Sequence, residues 1–220
     1  MKGNDFRLDE DIPTSYLVNL MAARIIMKCR GFFSGFHHET VPFIGSRVTI
    51  KATSKLFAGK HLSIGNHCYI DALSHKGIKL GNNVSIGRNT IIECTGNLQH
   101  LGKGLEVGDN VGLGTDNYYG CAGGISIGDD TIIGNFVSFH AENHVFASTE
   151  TPIRLQGVEH IGIVIGKDCW IGAKSTILDG VVLEDGCVIA AGALLKRGTY
   201  STMGVYAGVP AKLIKQRKSS

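Results

Sequence analysis

The sequence predicts an all-β fold, a parallel β-solenoid wound from short repeats. Three observations carry that reading. Glycine supplies 30 of 220 residues, roughly double its usual ~7% share, and no Gly-X-Y period accounts for it. A six-residue unit recurs: an aliphatic residue, often Gly, two polar residues, then a small or β-branched residue. The unit is too long for the alternation of a single strand and too regular for a helix of period 3.6. Internal repeats at a fixed period mark quasi-one-dimensional architectures, in which each turn buries its apolar side only against its neighbours.

The repeat is clearest from Ile165, with units starting at Ile171, Ile177, Leu183, Ile189 and Leu195. Upstream units begin at Ile64, Ile70, Leu80, Ile86, Ile92, Val107, Leu113, Ile127, Ile133 and Phe139, and a weaker set begins at Ile44, Ile50 and Leu56. Three units make one triangular coil of about eighteen residues. The aliphatic residue points inward. The fifth position (Cys68, Val84, Thr131 and Cys187 among others) sits at a crowded corner. Glycine at the second position is expected to supply torsions that other residues resist.

Breaks in the period mark loops. They fall between Ile70 and Leu80, Ile92 and Val107, Leu113 and Ile127, and, longest, between Phe139 and Ile165. A long loop on a rigid scaffold is a usual place for function. Residues 14–33 carry no repeat and read as a helix, with Thr14 or Ser15 as N-cap. That helix caps the open end of the solenoid, whose strand edges need cover; the alternative is a weak membrane-surface association through residues 14–33, using Arg24, Lys28 and Arg30. The chain therefore divides into an N-terminal helical cap (1–40), the β-helix domain with its loop (41–208, loop 140–163) and a C-terminal segment (209–220) read as a short helix or tail.

Composition excludes several classes. The formal net charge is only +3, and its clearest basic cluster is terminal (Lys212, Lys215, Arg217, Lys218), which is no nucleic-acid signature. Residues 1–11 are polar and acidic, unlike a secretory leader, and no run approaches the roughly 18 apolar residues of a membrane span. Six cysteines occur without C-x-x-C or zinc spacing. They read as free thiols of a cytoplasmic protein, and those at fifth positions as corner fillers.

Of nine histidines, His144 stands out by place. It opens the longest loop, in Ser138-Phe139-His140-Ala141-Glu142-Asn143-His144, directly after repeats that fix the backbone. Acyl transfer to a hydroxyl needs a base that titrates near neutrality, and histidine supplies one unperturbed. A thioester donor is already activated, so the hydroxyl can attack it directly. The oxyanion that forms needs a backbone N–H or similar donor.

The repeats, Asn143-His144, Cys169-Trp170-Ile171-Gly172-Ala173 and Ala207-Gly208-Val209-Pro210-Ala211-Lys212 together resemble the hexapeptide-repeat acyltransferases over roughly residues 60–217. The closest subgroup is the sugar O-acetyltransferases, such as the galactoside, maltose and capsule or exopolysaccharide enzymes. The resemblance implies a left-handed coil and a homotrimer with active sites between subunits. It implies acetyl-CoA as donor, a sugar or polysaccharide-precursor hydroxyl as acceptor, His144 as catalytic base, and no metal. Trp170 matches the tryptophan beside the pantetheine tunnel, Ala173 a backbone donor near the thioester, and Ala191 a position along the pantetheine arm. Lys196, Arg197, Lys212 and Lys215 match the region that meets the CoA phosphates. Asp116, Asn117 and Asn143 match acceptor-binding positions, with further acceptor contacts from loops 96–104, 115–124 and 140–163. The sequence departs from the family at Leu195-Lys196-Arg197, where Ser or Thr often precedes Lys.

Other readings stay beside this one. Trp170 also fits a surface-packing role, and the terminal basic run a solvated tail. Glu142 either orients His144 or is simply hydrated. Amino-sugar or antibiotic acetylation changes only the acceptor. A γ-class carbonic anhydrase shares the repeat but needs three zinc-binding histidines, and a non-catalytic scaffold needs no site at all.

Overall fold

A computed structural model describes residues 8–218. The readings placed on residues 1–7, the start of the N-terminal cap and the polar opening, lie outside it, as do residues 219 and 220. The chain winds around three parallel sheets. The first face is an eight-stranded sheet running from His37–His38 to Gly198–Tyr200. The second begins at Phe43–Ile44, passes through isolated bridges at Gly112, and ends in Gly204–Ala207. The third is a seven-stranded sheet from Thr49–Lys51 to Leu194–Leu195. Each circuit visits the faces in that order, so this is the parallel β-helix that the six-residue period predicts.

Register stacks like on like. On the third face the inward column is Ile50, Ile70, Ile92, Tyr119, Phe139, Ile177 and Leu195. The fifth-position residues are buried as expected, cysteines 68, 169 and 187 included. All six cysteines are free, and only Cys29 is exposed.

The second-position glycines have a different cause from the one expected. Apart from Gly114 (φ 67°), the second-position glycines keep ordinary torsions, and left-handed ones fall on the fourth position, at Asn83 (φ 56°), Asn110 (φ 59°) and Asp130 (φ 58°). Asn and Asp tolerate that region better than other side chains, and here they also form a ladder: Asn83 donates to Asn110, and Asn110 to Asp130, each at 2.9 Å. The second-position glycines answer to crowding. A Cβ on Gly65 would stand 2.5 Å from the Arg88 nitrogen, and one on Gly134 would stand 2.7 Å from the Ala173 nitrogen. Glycine lets one coil lie directly on the next.

The break between Leu113 and Ile127 is smaller than the sequence suggested. Tyr119 takes the aliphatic place in the third face and is fully buried. Its hydroxyl donates to the Leu113 carbonyl at 2.7 Å, which satisfies the one polar atom that burial would orphan. Tyr118–Gly120 is therefore a strand, and most of segment 115–124 belongs to a regular coil.

The helix α1 spans Thr14–Phe32. Pro13, not Thr14 or Ser15, is its N-cap; no side chain caps it, and the Pro13 carbonyl accepts from the Tyr16 and Leu17 amides. Gly31 packs on Pro42, Arg24 and Lys28 lie over the Phe43 ring, and Arg24 donates to Ser63. α1 thus lies along the second face rather than across the open end. Val18, Ile25 and Phe32 point outward and are exposed. Among the described residues, no helix is long and apolar enough to cross a membrane. The C-terminal segment is neither helix nor free tail. Lys212–Gln216 forms a strand antiparallel to Gly204–Ala207, and Arg217 fastens it to Asp168 at 2.9 Å.

Candidate active site

Loops leave the solenoid at one edge, where the third face turns into the first. The longest runs from His140 to Gly162. At its feet Asn143–His144 pairs antiparallel with Val158–Glu159, with His144 opposite Val158. Two residue pairs make a weak ladder, and tethers to the solenoid reinforce it. The Asp179 carboxylate accepts from the amides of Ile161 (3.1 Å) and Gly162 (2.7 Å). Lys103 donates to the His160 carbonyl at 2.8 Å.

His144 is exposed and lines a cleft of about 480 Å³ with Glu93, Thr95, Tyr118, His140 and Glu142. Glu93, Thr95 and Tyr118 were not singled out from sequence. Glu93 and His140 end strands of the third face, two rungs apart with Gly120 between them. Gly120 has no side chain, so the Tyr118 ring leans over it, and its hydroxyl donates to Glu93 Oε2 at 3.1 Å. Burial, then the Glu93 hydrogen bond and charge, push the Tyr118 phenol up to about 12. It therefore stays a donor at neutral pH. The His140 ring lies 5.6 Å from that of Tyr118, and its partial burial lowers its pKa below the ordinary imidazole value. The signal for this group was present in the sequence: counting six from Leu113 lands on Tyr119, which puts Tyr118 outward.

Glu142 is not merely hydrated. Its Oε2 lies 3.5 Å from His160 Nδ1, across the hairpin. Asn143, Lys196 and Arg197 line an adjacent cleft of about 270 Å³ with Glu142, Glu159 and Asp179.

Asp116 and Asn117 require a correction. Both sit at the corner between the second and third faces, away from the loop edge. Asn117 is 2% exposed. Its amide donates to the Leu113 and Gly134 carbonyls and accepts from the Val137 N–H, so nothing is left for a ligand. Asp116 stands at a positive-φ position (58°) and accepts from Asn89 at 2.7 Å. Both hold the coil.

The remaining expected residues lie elsewhere. Trp170 stands on the second face with 56% of its surface exposed, in register with Ile132 and Val188. Ala173 and Ala191 occupy the following corner in successive coils. The Ala173 carbonyl accepts from Gly192 at 2.8 Å, while its N–H finds no acceptor among the described residues. Lys212 and Lys215 are exposed on the last strand. In a three-sided coil the loop edge is opposite the second face. One chain therefore brings His144, Asn143, Lys196 and Arg197 to one side, and Trp170, Ala173, Ala191 and the terminal lysines to the other. Among the described residues, no three His, Cys, Asp or Glu side chains converge as a metal site.

Comparison with known proteins gives this arrangement relatives. The hexapeptide repeat of succinyl-transferase matches residues 162–197. A probable acetyltransferase of Mycobacterium tuberculosis is 33% identical over 182 residues, covering 81% of this chain and 51% of its own length. A putative lipopolysaccharide biosynthesis O-acetyl transferase of Escherichia coli, WbbJ, is 31% identical over 99 residues, covering 42% of this chain and 50% of its own. The chain thus spans about half the length of the curated relatives it matches. AntD, an N-acyltransferase from Bacillus cereus solved with dTDP-4-amino-4,6-dideoxyglucose and coenzyme A, superposes with a TM-score of 0.55 at 25% identity. That match covers 80% of this chain and 86% of AntD. Another AntD structure, with dTDP and coenzyme A, gives 0.58 at 21% identity, covering 89% of each chain. These likenesses make the coil a left-handed parallel β-helix.

Proposed function

We propose that this chain, which belongs to the hexapeptide-repeat acyltransferase family, transfers an acetyl group from acetyl-CoA to a sugar hydroxyl, with His144 as general base. The observation that carries the reading is the placement of His144. It is exposed in a polar cleft, on a hairpin bound at both feet to rigid coils. The base takes the proton of the attacking hydroxyl. The thioester carbonyl becomes an oxyanion, which collapses to expel the CoA thiolate. The Ala173 N–H, without an acceptor among the described residues, is suited to that oxyanion. Trp170 and Ala191 would flank the pantetheine arm, and Lys212 and Lys215 would meet the phosphates.

Because those groups stand opposite His144 within one chain, the site needs a neighbouring copy. One copy supplies the hairpin and the other the second face, which supports a homotrimer with active sites between subunits. The printed role of WbbJ in lipopolysaccharide biosynthesis favours a polysaccharide precursor as acceptor. An amino-sugar nitrogen is the second reading, favoured by the dTDP-amino sugar held by AntD. The six free cysteines and the donor suit the cytoplasm.

Thermal melting tests the donor. Acetyl-CoA at about a hundred times its Kd adds ~2.7 kcal/mol, which raises Tm by roughly 5–10 °C for a chain of this size. No shift, or stoichiometric zinc in the same sample, would overturn the reading. Lys212→Glu is expected to raise the KM for acetyl-CoA without moving Tm. An unchanged KM removes Lys212 from the phosphate site.

A further inference from the structure

Two polar side chains near the hairpin have no role in the chemistry above. The Nδ1 atom of His160 is buried and has no hydrogen-bond partner among the described residues. A buried polar atom without a partner costs free energy, and the nearest group able to relieve it is Glu142 Oε2, 3.5 Å away. Glu142 directly precedes the Asn143–His144 strand and His160 directly follows the Val158–Glu159 strand. The pair therefore closes the open end of a ladder only two residues long. Gly96 lies beside the same carboxylate: a Cβ there would stand 3.8 Å from Glu142 Oε2, an ordinary contact distance. Behind His160, Lys103 holds its carbonyl and Asp179 the next two amides.

We propose that Glu142 and His160 are positioning residues, whose contact closes the foot of the hairpin and sets where the His144 imidazole stands. An Nδ1–H on His160 faces the Glu142 carboxylate at 3.5 Å, and a small closure there makes a charge-assisted bond. The far end of the loop, residues 145–157, is tied mainly to itself. Gln156 bonds to Ser148 and Thr151, so the angle of the His144 strand is set at its foot, by the two-residue ladder, the Val145–Gly157 backbone bond, the tethers behind His160 and the latch. A displacement of the base by about 1 Å can cost about 10²-fold in rate. This inference rests on His144 being the base.

The test compares the full-length wild type with His160→Ala and His160→Asn, whose amide donor replaces Nδ1–H. Turnover is read as free-thiol release from acetyl-CoA, with methyl glycosides as acceptors. Loop order is read separately, as the rate of tryptic cleavage after exposed Arg154. His160→Ala is expected to lower kcat by up to about 10²-fold, leave the KM for acetyl-CoA unchanged and speed cleavage at Arg154. His160→Asn should restore both kcat and protection. Wild-type kcat in the alanine variant, or an asparagine variant no better than alanine, overturns the proposal. Should His160→Ala lose its thermal transition, Glu142→Ala removes the same contact from a more exposed side chain, and wild-type kcat there is equally fatal. His144→Ala separates the two ideas. If it is inactive while His160→Ala is fully active, only the latch fails. If it remains active, the assignment of the base fails first.

Discussion

His144→Ala lowers turnover by about 10²–10⁴-fold, the contribution of a positioned general base, while the protein still melts as the wild type does and still gains stability from acetyl-CoA. The expectation follows from where the side chain sits. His144 is exposed, and its partners across the ladder are backbone, so removing the ring opens no cavity and strands no buried group. Its loss acts on the hydroxyl proton alone. In the proposed site donor binding draws on the second face, opposite the loop edge, so the KM for acetyl-CoA is expected to hold while kcat falls. That pattern marks an interaction made chiefly in the transition state. His140 lines the same cleft and is the obvious substitute. Its partial burial holds the pKa below the ordinary value, so it is a weaker proton acceptor than an ordinary imidazole. Undiminished turnover in His144→Ala, together with loss of activity in His140→Ala, would transfer the role to His140.

The solenoid was legible in the sequence because its determinants are local and repeated. An aliphatic at the first position and a small residue at the fifth say the same thing many times over, so the reading survives individual exceptions. Tyr119 is the exception that misled. An aromatic in an aliphatic slot reads as a break in the period, and only the carbonyl of Leu113, brought within 2.7 Å of its hydroxyl by folding, explains how it fits. The error carried into the site. Treating 115–124 as a loop made Asp116 and Asn117 look like ligands, whereas Asn117 spends its amide on the corner. The position of His144 at the foot of the long loop was legible, since a loop anchored by flanking repeats can be found by counting. The Tyr118–Glu93 bond and the Glu142–His160 contact were not. They join residues 25 and 18 apart in sequence by stacking of coils or closure of a hairpin, and the repeat fixes neither which outward residues meet nor how a long excursion returns. The second-position glycines show the same limit. Their presence was plain, but their cause, a Cβ meeting the next coil's backbone, is a contact between turns.

Phe139→Ala carries the largest expected effect on stability. Phe139 is fully buried and stacks on Tyr119 with ring centroids 4.8 Å apart and planes 12° from parallel. Removing a buried aromatic ring costs about 3–5 kcal/mol, because the lost transfer free energy adds to a cavity that rigid neighbours do not fill. The neighbours here are rigid. Ile177 follows in the same column, and the adjoining coils are held by backbone ladders on all three faces. In a protein of this size the cost corresponds to a fall in Tm of roughly 6–20 °C. A solenoid shares stability mainly between adjacent turns, so the damage concentrates in the coils at Tyr119, Phe139 and Ile177. Those coils carry Tyr118, His140 and the first foot of the hairpin. Phe139→Ala should therefore lose activity at temperatures where its remaining coils are still folded, and hydrogen exchange should show the loss centred on Tyr118–Gly120 and Ser138–His140. Phe139→Leu keeps the column filled and separates volume from aromatic stacking. If leucine recovers most of the stability, packing is the cause; if it recovers little, the contact with Tyr119 matters more than the space. A Tm for Phe139→Ala within about 2 °C of wild type, well below the expected fall, would mean that this column does not bear the stability its burial implies.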